Sequence, residues 1–379
     1  MTARPTRLCI LNPFGYELFD PAARASKIFA GAEVQLYYLA RALAARTEFA
    51  VSMIVERPDT GAEPVREGVE MITVPRESRH FAQIRDRIPV PSPAYLAAMR
   101  QADADVYLQR GAAVLTGDVA LHCRLARRRF AFMAAHDWDC DRHHQRGRQY
   151  LAGAYYFSAL RRADLVYAQS DFQRRQLERH HEVASTVQRT VYPAATGVTA
   201  GQREHVLWVG RCLDWKRPMA FLDLAEGRPD LPFAMACPAY EGARALYDSV
   251  TERASRLPNV QFLGFVPFAD TEGLFRHARV FVNSSTAEGF PNTFVQAARV
   301  GTPVLSLEVN PDGILQTSDF GAYAGGDTAL LARQLDRLLD DRQTWERQSA
   351  NAHRYFQREH DIEALTPAFA RSLLSLRSR

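Results

Sequence analysis

The chain has 379 residues, of which 47% are hydrophobic and 24% are charged. This length exceeds the size at which a single hydrophobic core keeps growing, so we expect two domains of about 150–200 residues each. No stretch approaches the ~18 consecutive apolar residues that a membrane span requires, and the apolar run at the N-terminus is too short for a secretion signal. We therefore predict a soluble, cytoplasmic protein.

Elements predicted in the first half of the chain alternate between apolar strands and helical or loop stretches. The first strand, 8–11, leads through a glycine-bearing loop into a helix over 34–46. Further apolar strands are predicted at 51–56, 70–75, 105–110, 130–137 and 163–170. Such alternation indicates a doubly wound parallel sheet, whose strands are apolar throughout because helices cover both faces.

The second half repeats this organisation after a small, Gly- and Thr-rich stretch between Pro193 and Arg203, which is typical of an interdomain linker. Its strands are predicted at 206–210, 233–238, 260–264, 280–284 and 303–308, and its helices near 218–226, 243–256, 270–277, 292–300 and 327–340. We therefore place domains at 1–195 and 196–361. Residues 362–379 are predicted to form an amphipathic helix; the pattern does not fix its place, and packing on the N-terminal domain is one arrangement open to it.

Charge is divided unevenly between the two halves. Residues 1–195 hold 27 Lys/Arg and 21 Asp/Glu, a net charge of +6, whereas residues 196–379 hold 20 and 22, a net charge of −2. Arginines crowd one part of the first half: Arg124, Arg127, Arg128, Arg129, Arg142, Arg146, Arg148, Arg161, Arg162, Arg174 and Arg175. Such a basic half suits anionic lipid headgroups or a phosphate-bearing acceptor, with a solvated helix face as the alternative. Because no stacking platform or recognition module accompanies the arginines, we expect no nucleic-acid partner.

The cysteines and histidines do not predict a disulfide framework or a metal site. The five cysteines are Cys9, Cys123, Cys140, Cys212 and Cys237, widely spread and without a C-x-x-C pair. The group formed by His136, Cys140, His143 and His144 carries zinc-ligand side chains, but its spacing matches no standard zinc module. We therefore expect reduced cysteines and no bound metal.

The segment from Glu288 to Gln296, E-G-F-P-N-T-F-V-Q, has the features of a site for hydroxyls and phosphates. A carboxylate in a Gly/Pro-containing turn accepts hydrogen bonds from sugar-type hydroxyls. The helix that follows has free N–H groups at its start, which favour negative charge. A sugar nucleotide carries both kinds of group, so we predict such a ligand.

A second candidate segment, W-V-G-R-C-L-D-W-K-R-P, follows the first strand of the second half and contains Gly210, Arg211 and Lys216. Ligands of open α/β sheets lie beyond the carboxyl ends of strands, and two cations beside a glycine suit a diphosphate. Lys216 and Lys27 are the only lysines among 47 basic residues. An ordinary strand-to-helix turn with exposed basic residues is the alternative.

Together these segments resemble the glycosyltransferases of family 4, whose two-domain architecture is called GT-B. In the first half, A-G-A-E-V-Q-L-Y-Y-L-A-R-A-L-A resembles the family's Gly-Gly-Ala-Glu helix opening, and A-D-L-V-Y-A-Q-S-D-F-Q-R-R-Q-L resembles its serine-bearing strand and helix. In the second half, V-G-R-x-x-x-x-K resembles the donor phosphate loop, and E-G-F-P-N-T-F-V-Q resembles the E-x7-E segment. The resemblance covers nearly the whole chain and implies two Rossmann-like, doubly wound parallel-sheet domains that face each other across a cleft.

The resemblance implies a retaining transfer of a hexose-type sugar from a nucleotide-sugar donor to a glycan or lipid-linked glycan acceptor, in the synthesis of a surface polysaccharide. It implies no cofactor and no catalytic metal, because arginine and lysine take the charge-neutralising role that a divalent ion has elsewhere. No side chain is identified as a covalent nucleophile, so we expect catalysis through positioning and stabilisation of the departing diphosphate. Peripheral contact with the inner face of an anionic membrane is an option for its location.

Residue by residue, the resemblance assigns Arg211 and Lys216 to the donor diphosphate and Glu288 to hydroxyls of the donor sugar. The other residues of the second half that it assigns to donor binding are Gly210, Gly289, Phe290, Asn292, Thr293 and Gln296. The family usually has glutamate where this chain has Gln296. An amide can still contact a ribose hydroxyl, but it cannot supply a bidentate charged contact.

Three residues of the first half are further candidates. Gly31 is the glycine of A-G-A-E, where Ala30 replaces the other glycine of the family pattern. His136 follows the strand at 130–137 and resembles the histidine that faces the donor sugar; a strand-end histidine bonded to backbone is the alternative. Lys27 is a candidate contact to acceptor or phosphate.

Two other functions remain open beside a hexosyltransferase. One is a GT-B-like epimerase acting on its sugar nucleotide, and the other is a non-catalytic glycosyltransferase-like scaffold, which Ala30 and Gln296 favour. A nicotinamide dehydrogenase does not fit, because no G-x-G-x-x-G with a later acidic residue follows the first strand.

Overall fold

The structure, a computed structural model, describes residues 4–58, 61–141, 150–195 and 203–377. It divides into two compact units: unit 1 comprises 1–24, 29–193 and 362–379, and unit 2 comprises 25–28 and 194–361. Of the predicted linker, residues 196–202 lie outside the described residues, as do His143 and His144.

Unit 1 is built on an eight-stranded sheet with the strand order β3-β4-β2-β1-β5-β6-β7-β8. Its strands are β1 (Thr6–Leu11), β2 (Phe49–Glu56), β3 (Val65–Arg66), β4 (Val69–Val74), β5 (Val106–Arg110), β6 (Arg129–Met133), β7 (Leu165–Ala168) and β8 (Thr186–Val187). Every neighbouring pair is parallel except the short pair β3–β4. All carboxyl ends of the parallel strands therefore meet at one edge, here called the carboxyl edge, and their starts meet at the opposite amino edge.

The helices of unit 1 are α1 (Pro21–Ser26), α2 (Gly31–Ala44), α3 (Arg79–Arg85), α4 (Pro93–Ala102), α5 (Val114–Ala126), α6 (Tyr150–Leu160), α7 (Asp171–His181) and α15 (Ile362–Leu374). They cover a sheet whose central strand, β1, is buried over most of its length, with Leu8, Cys9 and Ile10 fully buried. The C-terminal α15 packs on α2, and the Ser372 hydroxyl lies 2.5 Å from the hydroxyl of Tyr167 on β7. The last helix of the chain thus belongs to the first unit.

A buried ion pair holds the short helix α3 in place. The Arg85 guanidinium contacts the fully buried Asp118 carboxylate on α5, and it also binds Glu77 at 3.0 Å and the Val90 carbonyl at 2.9 Å. The Ser92 N–H donates to Asp118 at 3.2 Å. Burial raises the pKa of Asp118 to about 6, although Arg85 opposes the shift. The pair is thus a structural contact that depends on pH.

Unit 2 is built on a six-stranded, wholly parallel sheet with the order β11-β10-β9-β12-β13-β14. Its strands are β9 (His205–Val209), β10 (Phe233–Ala236), β11 (Val260–Phe262), β12 (Ala278–Asn283), β13 (Val304–Ser306) and β14 (Gly321–Tyr323). Its helices are α8 (Pro218–Glu226), α9 (Arg244–Ser255), α10 (Thr271–His277), α11 (Asn292–Arg299), α12 (Ile314–Thr317), α13 (Thr328–Asp340) and α14 (Arg342–Glu359). Chain order reverses direction at β9 and β12, which makes this pair the topological switch point of the sheet.

The predicted fold class, two parallel-sheet α/β domains, is confirmed. The short strands β3, β8 and β14 were not predicted, because no longer apolar run marks them in the sequence. Also not predicted was α14, an 18-residue helix that buries only Ala352, Tyr355 and Phe356. A helix with so few apolar contacts leaves little signal in the sequence. Within the described ranges, no helix has the length and hydrophobicity to cross a membrane.

Candidate functional site

The candidate donor residues of unit 2 follow the two strands of the switch point. The loop with Gly210, Arg211 and Lys216 follows β9, and the segment from Ser284 to Pro291 follows β12. Because β9 and β12 are neighbours in the sheet, the two segments lie side by side at the carboxyl edge of unit 2. This edge is where ligands bind in open α/β sheets.

Ser284 ties the two segments together. Its hydroxyl accepts a hydrogen bond from the Trp208 indole at 2.9 Å and lies 2.7 Å from the Lys216 carbonyl oxygen and 2.9 Å from that of Arg217. The serine is only 1% exposed. Ser284 therefore fixes the backbone of the β9 loop at the position from which Lys216 projects.

The packing of Trp208 accounts for the glycine at the start of the loop. A Cβ atom on Gly210 would lie 3.0 Å from the Trp208 indole, closer than nearly all real Cβ contacts. A side chain there would displace the ring that donates to Ser284. Gly210 thus supports the loop whether or not a phosphate approaches its backbone.

Lys216 and Glu288 form an ion pair across the two segments, and their side chains are 19% and 14% exposed. The same Glu288 oxygen, Oε1, accepts a hydrogen bond from the Ser285 hydroxyl at 2.9 Å. Ser285 is 2% exposed, and its own N–H donates to the Asn283 side chain at 3.1 Å. The carboxylate is therefore held at one oxygen by two donors, with its orientation set by buried groups.

The Arg211 guanidinium, in the same β9 loop, lies 5.7 Å from the centre of the Tyr240 ring. Tyr240 follows β10, the neighbouring strand, and is 41% exposed. A guanidinium over an aromatic face is held by a cation–π interaction. No motif in the sequence marks Tyr240 as a site residue.

The segment after Glu288 leads into helix α11, which begins at Asn292. Phe290 is 5% exposed and packs on the buried His360 ring at 5.1 Å, so its side chain belongs to the core. Asn292 and Gln296 are four residues apart and share one helix face, and both are half-buried. The first N–H groups of the helix point away from it, as at any helix start. Gly289, Thr293 and these side chains line the same end of α11.

Two candidate residues belong to unit 1: Gly31 at the start of helix α2, and His136 after strand β6. Gly31 is the first residue of α2 and is exposed, and the preceding Ala30 N–H donates to the Glu33 carboxylate at 2.8 Å. The glutamate of the A-G-A-E motif thus closes the helix start. An exposed helix start with a glycine allows close approach by a ligand.

His136 follows β6 and is held by a tight turn. Its Nδ1 accepts a hydrogen bond from the Trp138 N–H at 3.2 Å, which leaves the ring proton of the neutral imidazole on Nε2. The Asp139 carboxylate accepts from the N–H groups of Ala135 at 2.7 Å and His136 at 3.0 Å. Backbone contacts therefore set both the tautomer and the orientation of His136.

A buried polar network lies behind this turn. Oriented by its partners, the Gln169 amide accepts from the Arg110 guanidinium at 2.6 Å and from the Thr190 hydroxyl at 3.2 Å, and donates to the Ala135 carbonyl at 2.9 Å. Burial lowers the pKa of Arg110 to about 10, although the Asp139 carboxylate opposes the shift. Arg110, the last residue of β5, and Asp139, in the turn that follows β6, support His136 and were not predicted.

The described part of the chain contains no group of three or more His, Cys, Asp or Glu side chains placed to hold a metal ion. Its five cysteines are buried and unpaired by disulfides. Burial raises the pKa of the Cys9 thiol to about 12, so this thiol is a core group.

Two family models match the chain. Residues 29–195 match the model described as Glycosyltransferase Family 4, and residues 203–341 match the model described as Glycosyl transferases group 1. No curated protein matches the chain significantly.

Solved structures with the same fold cover the whole described architecture. A sucrose-phosphate synthase from Thermosynechococcus elongatus has a TM-score of 0.76 at 16% identity, covering 98% of this chain and 99% of that chain. The Anabaena protein HepE, solved in complex with UDP and glucose, has a TM-score of 0.74 at 18% identity, covering 98% and 100%. A glycosyltransferase from Rickettsia africae has a TM-score of 0.71 at 13% identity, covering 98% of both chains. At these identities the likeness concerns the fold.

Proposed function

The chain belongs to the family 4 glycosyltransferases, and we propose that within this family it is a retaining hexosyltransferase. Its donor is a nucleotide-activated hexose, which is a substrate and not a cofactor. Its acceptor is a glycan or lipid-linked glycan, and its product contributes to a surface polysaccharide. The stereochemistry, the hexose and the polysaccharide role are carried over from the family resemblance.

The observation that carries the proposal is the contact between Lys216 and Glu288. A lysine ammonium has three donors, so one can bind Glu288 while the others bind oxygens of a diphosphate. The second oxygen of Glu288 is then available to sugar hydroxyls. One pair of side chains can thereby hold the diphosphate and the sugar, the two groups between which the bond breaks.

Arg211 supplies a second cation at the same edge. A guanidinium binds phosphate oxygens with two parallel hydrogen bonds, and its stacking on Tyr240 limits its orientations before the donor arrives. Charge that develops on the leaving diphosphate is stabilised by groups already in place. We therefore propose that Arg211 and Lys216 carry out this stabilisation without a catalytic metal.

We propose that helix α11 binds the nucleotide end of the donor. Its free N–H groups at Asn292 and Thr293 favour a phosphate, and Gln296 on the same face is placed to accept from or donate to ribose hydroxyls. We propose that His136, with its proton on Nε2, donates a hydrogen bond to the donor sugar. We also propose a cytoplasmic site of action with peripheral contact at an anionic inner membrane face, supported by the basic charge of the first half.

The first test is a thermal-shift screen against UDP, GDP, ADP, TDP and their sugar conjugates. A ligand that binds the native state raises its apparent stability by mass action. We expect a shift selective for one nucleotide, absent in Lys216→Ala and retained in the control Arg333→Ala, which changes an exposed cation of the same unit. A shift that survives in Lys216→Ala, or no shift with any nucleotide, would contradict the proposed donor site.

The nucleotide found in this way then serves in an activity assay with its sugar conjugate. Transfer releases the nucleoside diphosphate and depends on an acceptor, with the anomeric configuration of the donor kept in the product. Interconversion of the sugar while it stays attached to the nucleotide would instead identify an epimerase. Binding without either reaction, with every acceptor class, would contradict turnover.

A further inference from the structure

The amino edge of the unit 1 sheet carries a cavity whose walls are rich in arginine. It has a volume of about 490 Å³ and is lined by Arg124, Arg127, Arg128, Arg129 and Arg162, with Asp164 as its acidic member. We propose that this arginine pocket binds a phosphate-bearing anion. The pocket shares no lining residue with the proposed donor site.

The pocket lies at the amino edge of the sheet, whereas His136 lies at the carboxyl edge. Arg129 is the first residue of β6, whereas His136 follows the carboxyl end of the same strand. The five residues of β6 span about 17 Å at ~3.3 Å per residue. A ligand in the arginine pocket is therefore not a substrate in contact with the candidate catalytic residue of the unit.

The carboxylate in the pocket is already engaged. Asp164 Oδ1 accepts from the Arg129 guanidinium at 2.8 Å, and its Oδ2 accepts from the Phe130 N–H at 2.9 Å. It is 25% exposed. Asp164 therefore neutralises Arg129 and leaves the charge of the other arginines in place.

The nearest further carboxylates are shared among several arginines. Asp103 contacts both Arg128 and Arg7, the latter at 2.7 Å. Asp105 lies 2.8 Å from Arg4 and 3.7 Å from Arg128. These two carboxylates are thus shared among three guanidinium groups, Arg4, Arg7 and Arg128.

Three arginines of the pocket have no carboxylate partner within the ranges that the structure describes. Arg124 and Arg127 are exposed and make no ion pair there, and the Arg162 guanidinium donates to the Ser158 carbonyl at 2.7 Å. Arg127 also ends helix α5 in a left-handed conformation, with φ of 54°. Many helices end in this conformation, as α4 and α7 do at Asp103 and Glu182.

Helix dipoles alone do not explain the number of arginines. Cations near the C-termini of α4, α5 and α6 are favoured, but the effect falls off within the last turn. The segments that precede β1, β5, β6 and β7, residues 4–7, 100–105, 124–129 and 161–164, hold nine arginines and three aspartates. The pKa of the nearby His122 is lowered by burial and then by Arg100 and Arg128, which reflects the positive potential.

The chemistry of the pocket fits phosphate. Guanidinium groups match phosphate oxygens with pairs of parallel hydrogen bonds, and several of them together hold more than one negative charge. Two sources of phosphate fit: a soluble phosphate compound, or the headgroup of an anionic lipid. Leu125, between the arginines and 72% exposed, offers an apolar contact that only a lipid would use.

The experiment uses the full chain with pyrophosphate as the soluble probe, and hydrogen exchange locates its binding. We expect protection of residues 124–130 in the wild type and in Arg211→Ala/Lys216→Ala, which removes the two donor-site cations. The double variant Arg124→Glu/Arg127→Glu should lose this protection and weaken binding about tenfold or more, as expected for the loss of several charge contacts. The control Arg354→Glu/Arg371→Glu makes the same charge change at exposed positions and should bind as the wild type does.

Vesicles distinguish the two sources. Flotation with vesicles of phosphatidylglycerol and phosphatidylcholine, compared with phosphatidylcholine alone, tests the headgroup. Anionic-vesicle binding that is lost in Arg124→Glu/Arg127→Glu and reduced in Leu125→Ser, without pocket protection by pyrophosphate, assigns a lipid headgroup. Pocket protection by pyrophosphate with no vesicle binding assigns a soluble phosphate compound.

The proposal is overturned if neither probe binds, or if Arg124→Glu/Arg127→Glu binds both as well as the control does. Protection confined to residues 210–217 and 284–296 would show binding at the donor site alone. That result would leave the proposed glycosyltransferase function standing while removing the second site. Conversely, binding in the arginine pocket by a protein that transfers no sugar would support the second site and contradict the proposed glycosyltransferase function.

Discussion

The two units share one architecture but arrange their charges differently. In unit 2, Arg228 pairs with Asp336 at 2.5 Å, and Lys216 pairs with Glu288 across two loops. In unit 1, the ion pair of Arg85 with Asp118 is buried under a helix, while Arg124 and Arg127 at the amino edge have no carboxylate partner in the described ranges. We propose that the Lys216–Glu288 pair serves donor binding in unit 2 and that the arginines at the amino edge of unit 1 attract an anion.

The largest expected effect is the loss of transfer in Glu288→Ala. Removing this carboxylate leaves Lys216 unpaired and takes away the sugar contact, and we expect kcat/KM to fall about 100- to 1000-fold, as for a preorganised electrostatic group. The control is Glu308→Ala, which removes another glutamate of unit 2 that pairs with a cation, Arg217. Near wild-type turnover in Glu288→Ala would show that the pair across the two loops has no part in the reaction.

Asp118→Asn tests the buried pair of unit 1 through its pH dependence. The folded-state pKa of about 6 lies above the ordinary value of 3.8, so between these values the unfolded chain has already lost a proton that the folded chain keeps. The stability of the wild type relative to Asp118→Asn should therefore fall as pH rises from 4 to 6, by about 2 kcal/mol. Urea denaturation across this range measures the difference.

Asp336→Asn, which removes a carboxylate from a half-buried pair of unit 2, is the matched control for the substitution. A difference in the free energy of unfolding between wild type and Asp118→Asn that stays constant from pH 4 to 6 would contradict the raised pKa of Asp118. A fall in kcat at unchanged stability would place Asp118 in the chemistry and break the comparison between the units.

Ser285→Ala tests how Glu288 is oriented. The hydroxyl donates to a charged group from a buried position, and its loss should lower kcat/KM about tenfold, with most of the change in kcat. Ser285→Thr keeps the hydroxyl and should recover much of the activity. Equal activity in Ser285→Ala and the wild type would show that Lys216 alone orients the carboxylate.

The smallest expected effect is that of Tyr240→Leu, which keeps an apolar side chain but removes the aromatic face beneath Arg211. A cation–π contact at an exposed site contributes about 0.5–1 kcal/mol, so KM for the donor should rise about two- to fivefold with kcat nearly unchanged. Tyr247→Leu removes a similar stack from Arg244 at 5.8 Å and is the matched control. The same KM in both variants would mean that the Tyr240 stack does not prepare the donor site.

Most long elements could be predicted from the sequence because their apolar runs are continuous. The strands predicted at 233–238 and 280–284 correspond to β10 and β12, and the helix predicted at 218–226 has the observed bounds. The polar α14 and the strand β14, three residues long, could not be predicted. Their formation depends on neighbours already in place and not on local periodicity.

The candidate donor residues were identified one by one from motifs, but the contacts between them were not. Nothing in the sequence joins Lys216 to Glu288, which are 72 residues apart. They meet because β9 and β12 are neighbours at the switch point. The supporting serines could have been suspected from the polar run that follows an apolar strand, but which carbonyls and carboxylate they bind depends on the two loops together.

The amino acid sequence by itself determined the family, the α/β class and the residue types of the donor segments, because these depend on local patterns. The tertiary structure alone decided that a lysine pairs with the carboxylate of a distant turn, that a backbone N–H sets the tautomer of His136, and that arginines from separate loops meet in one pocket. The physical reason is that strand order in a parallel sheet brings together loops far apart in the chain, and pairing between charges depends on distance in space.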